Sequence, residues 1–189
     1  MIRHILPKLP LIALLIAVAP HSYAASDLSV GAAMPVLHGQ YLNGHEAVMP
    51  ADATGRVTLL AFGFSYQARF TVEDWTKRFR TDFGKNPQVN FCEVPMIPNV
   101  ARMTRWFIDS SMRRGTPQSD YQNVITVYGG LDPWKQRLEV KDMDAAYLVV
   151  LDPKGNVAWM HSGHFAEADY QALAAEVRKL AATQERPAP

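Results

Sequence analysis

Residues 57–83 read VTLLAFGFSYQARFTVEDWTKRFRTDF. The first eight are apolar almost throughout, the pattern of a strand covered on both faces rather than one with a solvated side. From Tyr66 onward the period changes. Val72, Trp75, Phe79 and Phe83 recur at spacings of three and four, and Glu73/Lys77 and Asp74/Arg78 stand at i,i+4 on the opposite side, where ion pairs are expected. A buried strand feeding an amphipathic helix that ends near Gly84 is one half of a parallel β-α-β unit.

Downstream, residues 88–97 (QVNFCEVPMI) predict a second buried strand, closed by Pro95 and Pro98. Asn99 is placed to cap a second helix with Met103 and Phe107 facing inward and Arg113 and Arg114 in its last turn before Gly115. A third strand over 123–128 leads through Gly129-Gly130 to a short helical piece over 132–138. Residues 147–151 and 157–160 flank Asp152-Pro153-Lys154-Gly155-Asn156, turn chemistry that predicts an antiparallel hairpin. Tyr170, Leu173, Ala174, Val177, Leu180 and Ala181 form the inner stripe of a last helix starting near Ala166. Upstream, Asn43-Gly44 marks an edge hairpin. The order β-α-β-α-β-(short α)-β-β-α predicts an α/β domain with a mixed central sheet and helices on both faces.

At the amino end, Arg3 and Lys8 precede the unbroken apolar run 11–19, and Pro20-His21-Ser22-Tyr23-Ala24 supplies small residues where a signal peptidase reads. This predicts a signal peptide over 1–24 and a periplasmic protein, with membrane association if the segment is retained; nine to eleven apolar residues fall short of the roughly 20 that span a bilayer. The expected organisation is then a 25–50 lead-in segment, a 51–183 domain and a polar, Pro-rich frayed tail over 184–189.

The 189 residues are 48% hydrophobic and 20% charged, ordinary globular composition. Nineteen Lys+Arg against 18 Asp+Glu leave a formal charge of +1, too little to hold a phosphate backbone, so no nucleic-acid partner is expected. One cysteine excludes an internal disulfide and a multi-thiolate metal site.

The element order and the hairpin turn LDPKGNV resemble the thioredoxin-like fold in its thiol-reductase and peroxiredoxin form, over about residues 30–182. That resemblance implies a Cys-x-x-Cys opening the first crossover helix, where the helix N-terminus lowers the first thiol's pKa. Here those places hold Ser65 and Ala68. It also implies a cis-proline before the first strand of the hairpin, where Ala146 stands with Ala145 before it. Paired-sulfur exchange and a peroxidatic cysteine are both excluded at that place. A narrower resemblance runs through LAFGFSYQARFTVEDWTKRF (60–79), FCEVPMI, the helix 101–111 and AYLVVLDPKGNVAWMHSGHF. These segments are similar to the mitochondrial ATP synthase assembly-factor family, which chaperones a membrane-sector subunit. The resemblance implies assembly work without catalysis, no cofactor, and as partner a membrane-protein or envelope-complex subunit; no small-molecule substrate is identified.

The expected partner surface is the remnant groove around Ser65, Tyr66, Gln67, Ala145 and Ala146, where an extended segment can bind without sulfur chemistry. Trp134, beside Lys135 and Arg137, is the tryptophan expected at the surface. Glu93 is either a strand-edge residue or a buried carboxylate paired with Arg69 or Arg102. Two rival readings stay open: a thiol-dependent oxidoreductase using Cys92, whose other reading is a buried inert side chain, and copper handling by Met160, His161 and His164.

Overall fold

The structure, a computed structural model, describes residues 28–184. The expected signal peptide and the tail beyond Gln184 lie outside the described residues. In chain order the elements are β1 (Leu37–Tyr41), β2 (Glu46–Met49), β3 (Val57–Gly63), α1 (Ala68–Phe83), β4 (Val89–Ile97), α2 (Arg102–Gly115), β5 (Ile125–Tyr128), α3 (Leu131–Arg137), β6 (Ala146–Leu151), β7 (Val157–Gly163) and α4 (Glu167–Gln184). Short 3-10 turns cover Ala51–Ala53 and Gln118–Asn123.

One seven-stranded sheet runs β2-β1-β5-β4-β3-β6-β7. β3, β4 and β5 are parallel neighbours, while β6 joins β3 antiparallel and β7 joins β6 antiparallel. The β1-β2 hairpin turns at Asn43-Gly44 and pairs antiparallel with β5, so the sheet takes in residues well before 51. Strand alternation splits the core into two layers. Leu59, Ala61, Phe91, Leu148 and Val150 meet Val72, Trp75 and Phe79 of α1 and Tyr170, Leu173 and Val177 of α4. Leu60, Phe62, Val94, Tyr147 and Val149 face the other way, against Trp134, Leu138, Leu37 and Met49. Every residue of β3 is buried, as its apolar run requires.

The hairpin turn is fixed by one carboxylate. Asp152 accepts the backbone N–H groups of Lys154 (2.8 Å) and Asn156 (2.9 Å) and the Asn156 side-chain amide (3.0 Å). Gly155 sits at φ +85, and a Cβ there would stand 2.8 Å from the Pro50 Cβ, so the turn demands glycine on two counts.

Several local expectations are corrected. β4 continues past Pro95, which pairs with the last β3 residue, Gly63, because the ladder to β5 starts at Met96. Arg78 does not pair with Asp74; it reaches Asp82 at 3.0 Å and Glu167 at 3.5 Å, and stacks over Tyr170, because α4 packs alongside α1. The Glu73/Lys77 pair is likewise not formed among the described residues. Asn99 does not cap α2: Ala101 stands at the N-cap with no side-chain bond, and Asn99 Oδ1 accepts from the Arg105 guanidinium. The largest difference is α2 itself, which buries no residue; Met103 and Phe107 point to solvent. Its apolar spacing is a helical stripe, but that stripe is turned away from the body and no element covers it among the described residues.

Candidate functional site

Where the paired sulfurs of the fold would stand, two oxygens meet instead. Ser65 donates its hydroxyl to an Asp144 carboxylate oxygen at 2.5 Å and accepts the Ala68 backbone N–H at 2.9 Å, so it caps α1 while tying it to the loop before β6. That loop is held by Tyr147, whose hydroxyl accepts the N–H groups of Lys141 (3.0 Å) and Asp142 (3.1 Å) and donates to the Asp142 carbonyl. Asp142 in turn accepts the Asp144 N–H at 2.9 Å. Thr71 of α1 donates to the Asp144 carbonyl at 2.9 Å and lies 3.3 Å from His164 Nδ1. Asp144 and Thr71 were missed by sequence reasoning; the only signal was an acid two residues before a buried strand. A carboxylate is a weak base for a hydroxyl, so the contact is a brace rather than a nucleophile's activation.

The expected groove divides at this brace. Ser65 and Tyr66 open onto one side, with Gln67 exposed above α1, while Ala145 and Ala146 are buried and Ala145 lines a separate cavity with Tyr147, Met160, His161 and His164. Ala146 therefore offers no accessible side chain. Trp134 is also corrected: it is 6% exposed and stacks on Phe62 at 5.6 Å between ring centres, with Arg137 over it. The short helix α3 turns its indole into the core, and Lys135 and Arg137 beside it are half-buried.

The larger opening is a groove of about 830 Å³ between α1 and α2, floored by the end of β4. Tyr66, Arg69, Glu73, Thr76, Lys77 and Arg80 line its α1 side, and Ile108, Ser111, Met112 and Gly115 its α2 side. The latter spacing of three, four and seven puts them on one helix face. Pro95 and Ile97 make an apolar floor with Glu93 at its end. Tyr66 is 72% exposed at the mouth, edge-on to Phe70, and the Arg69 guanidinium lies over both rings at 4.6 and 4.3 Å.

Glu93 continues the face of Val89 and Phe91 toward α1. Neither Arg69 nor Arg102 pairs with it; Thr76 donates its hydroxyl at 2.7 Å. Burial raises the carboxyl above its ordinary range, opposed by that hydrogen bond and by Arg80, which is itself paired with Asp120. Cys92 faces the opposite layer, buried, with its sulfur 3.8 Å from the Gln122 carbonyl. Burial pushes its thiol up to about 12, against the pull of Arg56.

His161 stacks on Trp159 and lies 3.7 Å from Asp169, while His164 lies 3.4 Å from Asp142. The two histidines line the same cavity but are engaged by different carboxylates on different elements. Among the described residues no group of three or more His, Cys, Asp or Glu side chains is arranged to hold a metal ion.

Sheet order and crossover helices define the class as thioredoxin-like, here without a Cys-x-x-Cys. Solved structures agree on that fold. A protein assigned as thiol:disulfide interchange protein DsbE from Chlorobium tepidum superposes with a TM-score of 0.56 at 18% identity, covering 82% of this chain and 99% of its own. BsSco, a member of the Sco family of cytochrome c oxidase assembly proteins, gives 0.56 at 14% identity, covering 79% and 94%. A protein assigned as a disulfide isomerase from Bacteroides thetaiotaomicron gives 0.57 at 13%, covering 81% and 90%. No curated protein matches the sequence. The ATP10 protein family matches over residues 15–180, and the chain belongs to that family, which is linked to assembly of the ATP synthase.

Proposed function

We propose that the protein is an exported, redox-inactive assembly factor that holds an apolar segment of an ATP synthase membrane-sector subunit in the groove between α1 and α2. The observation that carries this reading is α2: a helix with no buried residue, standing across an 830 Å³ groove from α1 over an apolar floor. A core helix has no reason to leave that volume open, because interiors are close-packed. A recognition groove does. Family membership supports involvement with an ATP synthase membrane complex. Ser65 and Ala68 remove the paired sulfurs, and burial keeps Cys92 from replacing them. Recognition without electron transfer is what remains for this scaffold.

The test is crosslinking and affinity capture from native membranes, comparing the unaltered chain with Tyr66→Ala and Met112→Glu. Both changes lie on the groove and outside the core, so both should lose an ATP synthase membrane subunit while keeping thermal stability. Capture unaltered by both would place the client elsewhere, and catalytic reduction of insulin by the purified chain would overturn the redox-inactive reading. Cell fractionation tests export: recovery in the cytoplasm would refute it.

A further inference from the structure

From the outward face of α2 we infer that this helix lies on an anionic lipid surface. The inference concerns the side of α2 turned away from the groove and does not require the groove to hold a client. Met103, Trp106 and Phe107 stand at spacings of three and four and are 82%, 66% and 63% exposed. Among the described residues no other element displays three large apolar side chains in one stripe to water. Charge selects the occupant. α2 carries Arg102, Arg105, Arg113 and Arg114 against Asp109, a net +3 in a chain whose total is +1, so the remainder is net acidic and the positive charge is concentrated on this helix. Large apolar side chains and unpaired cations presented together on one exposed helix face fit a bilayer with anionic headgroups, which takes the rings into its interfacial layer and the cations at its headgroups.

The arginines divide by role. Arg105 is engaged by Asn99, the Val100 carbonyl and the face of Tyr128, and Arg113 by the Leu42 carbonyl and Ser110, which together fasten α2 to the body. Asp109 accepts the Tyr128 hydroxyl at 2.7 Å and is thereby turned inward. Arg102 and Arg114 make no hydrogen bond or ion pair among the described residues, and both are exposed. On a helical wheel Arg114 falls within the apolar stripe and Arg102 at its flank, where long cationic side chains reach headgroups while the indole and phenyl rings enter the interfacial layer. The body thus holds α2 by one side and presents the other.

The experiment uses the full chain with vesicles of roughly three parts phosphatidylcholine to one of phosphatidylglycerol, and with phosphatidylcholine alone. Trp106→Phe keeps the stripe apolar, and subtracting its emission from that of the unaltered chain isolates Trp106 from the other tryptophans. The Trp106 component should shift to the blue on anionic vesicles and be quenched by brominated acyl chains, with affinity at least about tenfold weaker on neutral vesicles. Arg102→Glu combined with Arg114→Glu should cost about as much without altering thermal unfolding, since neither side chain is buried. A chain that reaches vesicles through its apolar amino-terminal segment while Trp106 stays in water overturns the inference, as does binding indifferent to the arginine reversals. Tyr66→Ala should leave vesicle binding intact, so failure here and failure of client capture are separately visible.

Discussion

Ser65 and Asp144 are hydrogen-bonded across 79 positions of sequence, 2.5 Å apart, at the spot where a thioredoxin-like enzyme keeps its reactive sulfur. The same hydroxyl caps α1 through the Ala68 N–H. A reactive site needs a group that is available; here the Ser65 hydroxyl is engaged both as donor and as acceptor. The loop carrying Asp144 is held by Tyr147, so the brace links α1, the loop and β6.

Ser65→Ala should lower stability by about 1 kcal/mol, the ordinary cost of an N-cap oxygen, and leave Asp144 without its partner. Adding Asp144→Asn to that variant should cost little more, because Asp144 is exposed and its carboxylate is already hydrated once the serine hydroxyl is gone. Urea unfolding of the four chains in a double-mutant cycle measures the coupling. A coupling of zero would mean the two groups are independently solvated.

Glu93 predicts a pH dependence of definite sign. Burial raises its carboxyl above the unfolded value of about 4.3, so between the unfolded and folded values the native state binds more protons. Glu93's contribution to stability is therefore fullest below its unfolded value and falls as pH rises through the folded one. Glu93→Gln retains an oxygen for the Thr76 hydroxyl and should flatten that decline, leaving the variant the more stable chain at neutral pH. Parallel denaturation curves at pH 5 and 7.5 decide it; equal slopes in the two chains would remove Glu93 as the cause.

Two tryptophans should behave in opposite ways. Trp134→Ala removes a ring stacked on Phe62 inside the core and should cost about 3–5 kcal/mol, whereas Trp106→Ala on the free side of α2 should stay within about 0.5 kcal/mol. Thermal unfolding of both variants is the measurement. Comparable losses would show that α2 packs against something in the folded chain.

That contrast also shows what a sequence of this kind conveys. β3 and the β6-β7 hairpin were legible because an unbroken apolar run and a DPKGN turn each have one physical solution. The Asn43-Gly44 hairpin was legible for the same reason. The reading of Met103 and Phe107 as inward failed because periodicity reports that a helix has an apolar face, not that a neighbour covers it. Trp134 failed in the opposite direction: charged neighbours suggested a surface, but one turn of helix puts residues on all sides. At the site, Ser65 and Tyr66 were found from the alignment with the fold's sulfur positions. Asp144, Thr71 and Ile108 were not, because they come together only through tertiary contacts.

Cys92 allows the sharpest check on the redox-inactive reading. With its thiol raised to about 12, on the order of one molecule in ten thousand is ionised at pH 8, and the sulfur is buried besides. Alkylation must therefore wait for opening of the fold, and the native chain should react at least about a thousand times more slowly than the denatured one. The same shift carries a linkage. In the unfolded chain the thiol ionises near 8.5, so above that pH the native state binds more protons and stability should fall by about 1.4 kcal/mol per unit up to pH 10. Cys92→Ala leaves a small cavity and a lower baseline but should abolish that slope. Rapid, stoichiometric labelling of the native chain at pH 8 would show an accessible thiolate and return a one-thiol exchange mechanism to consideration.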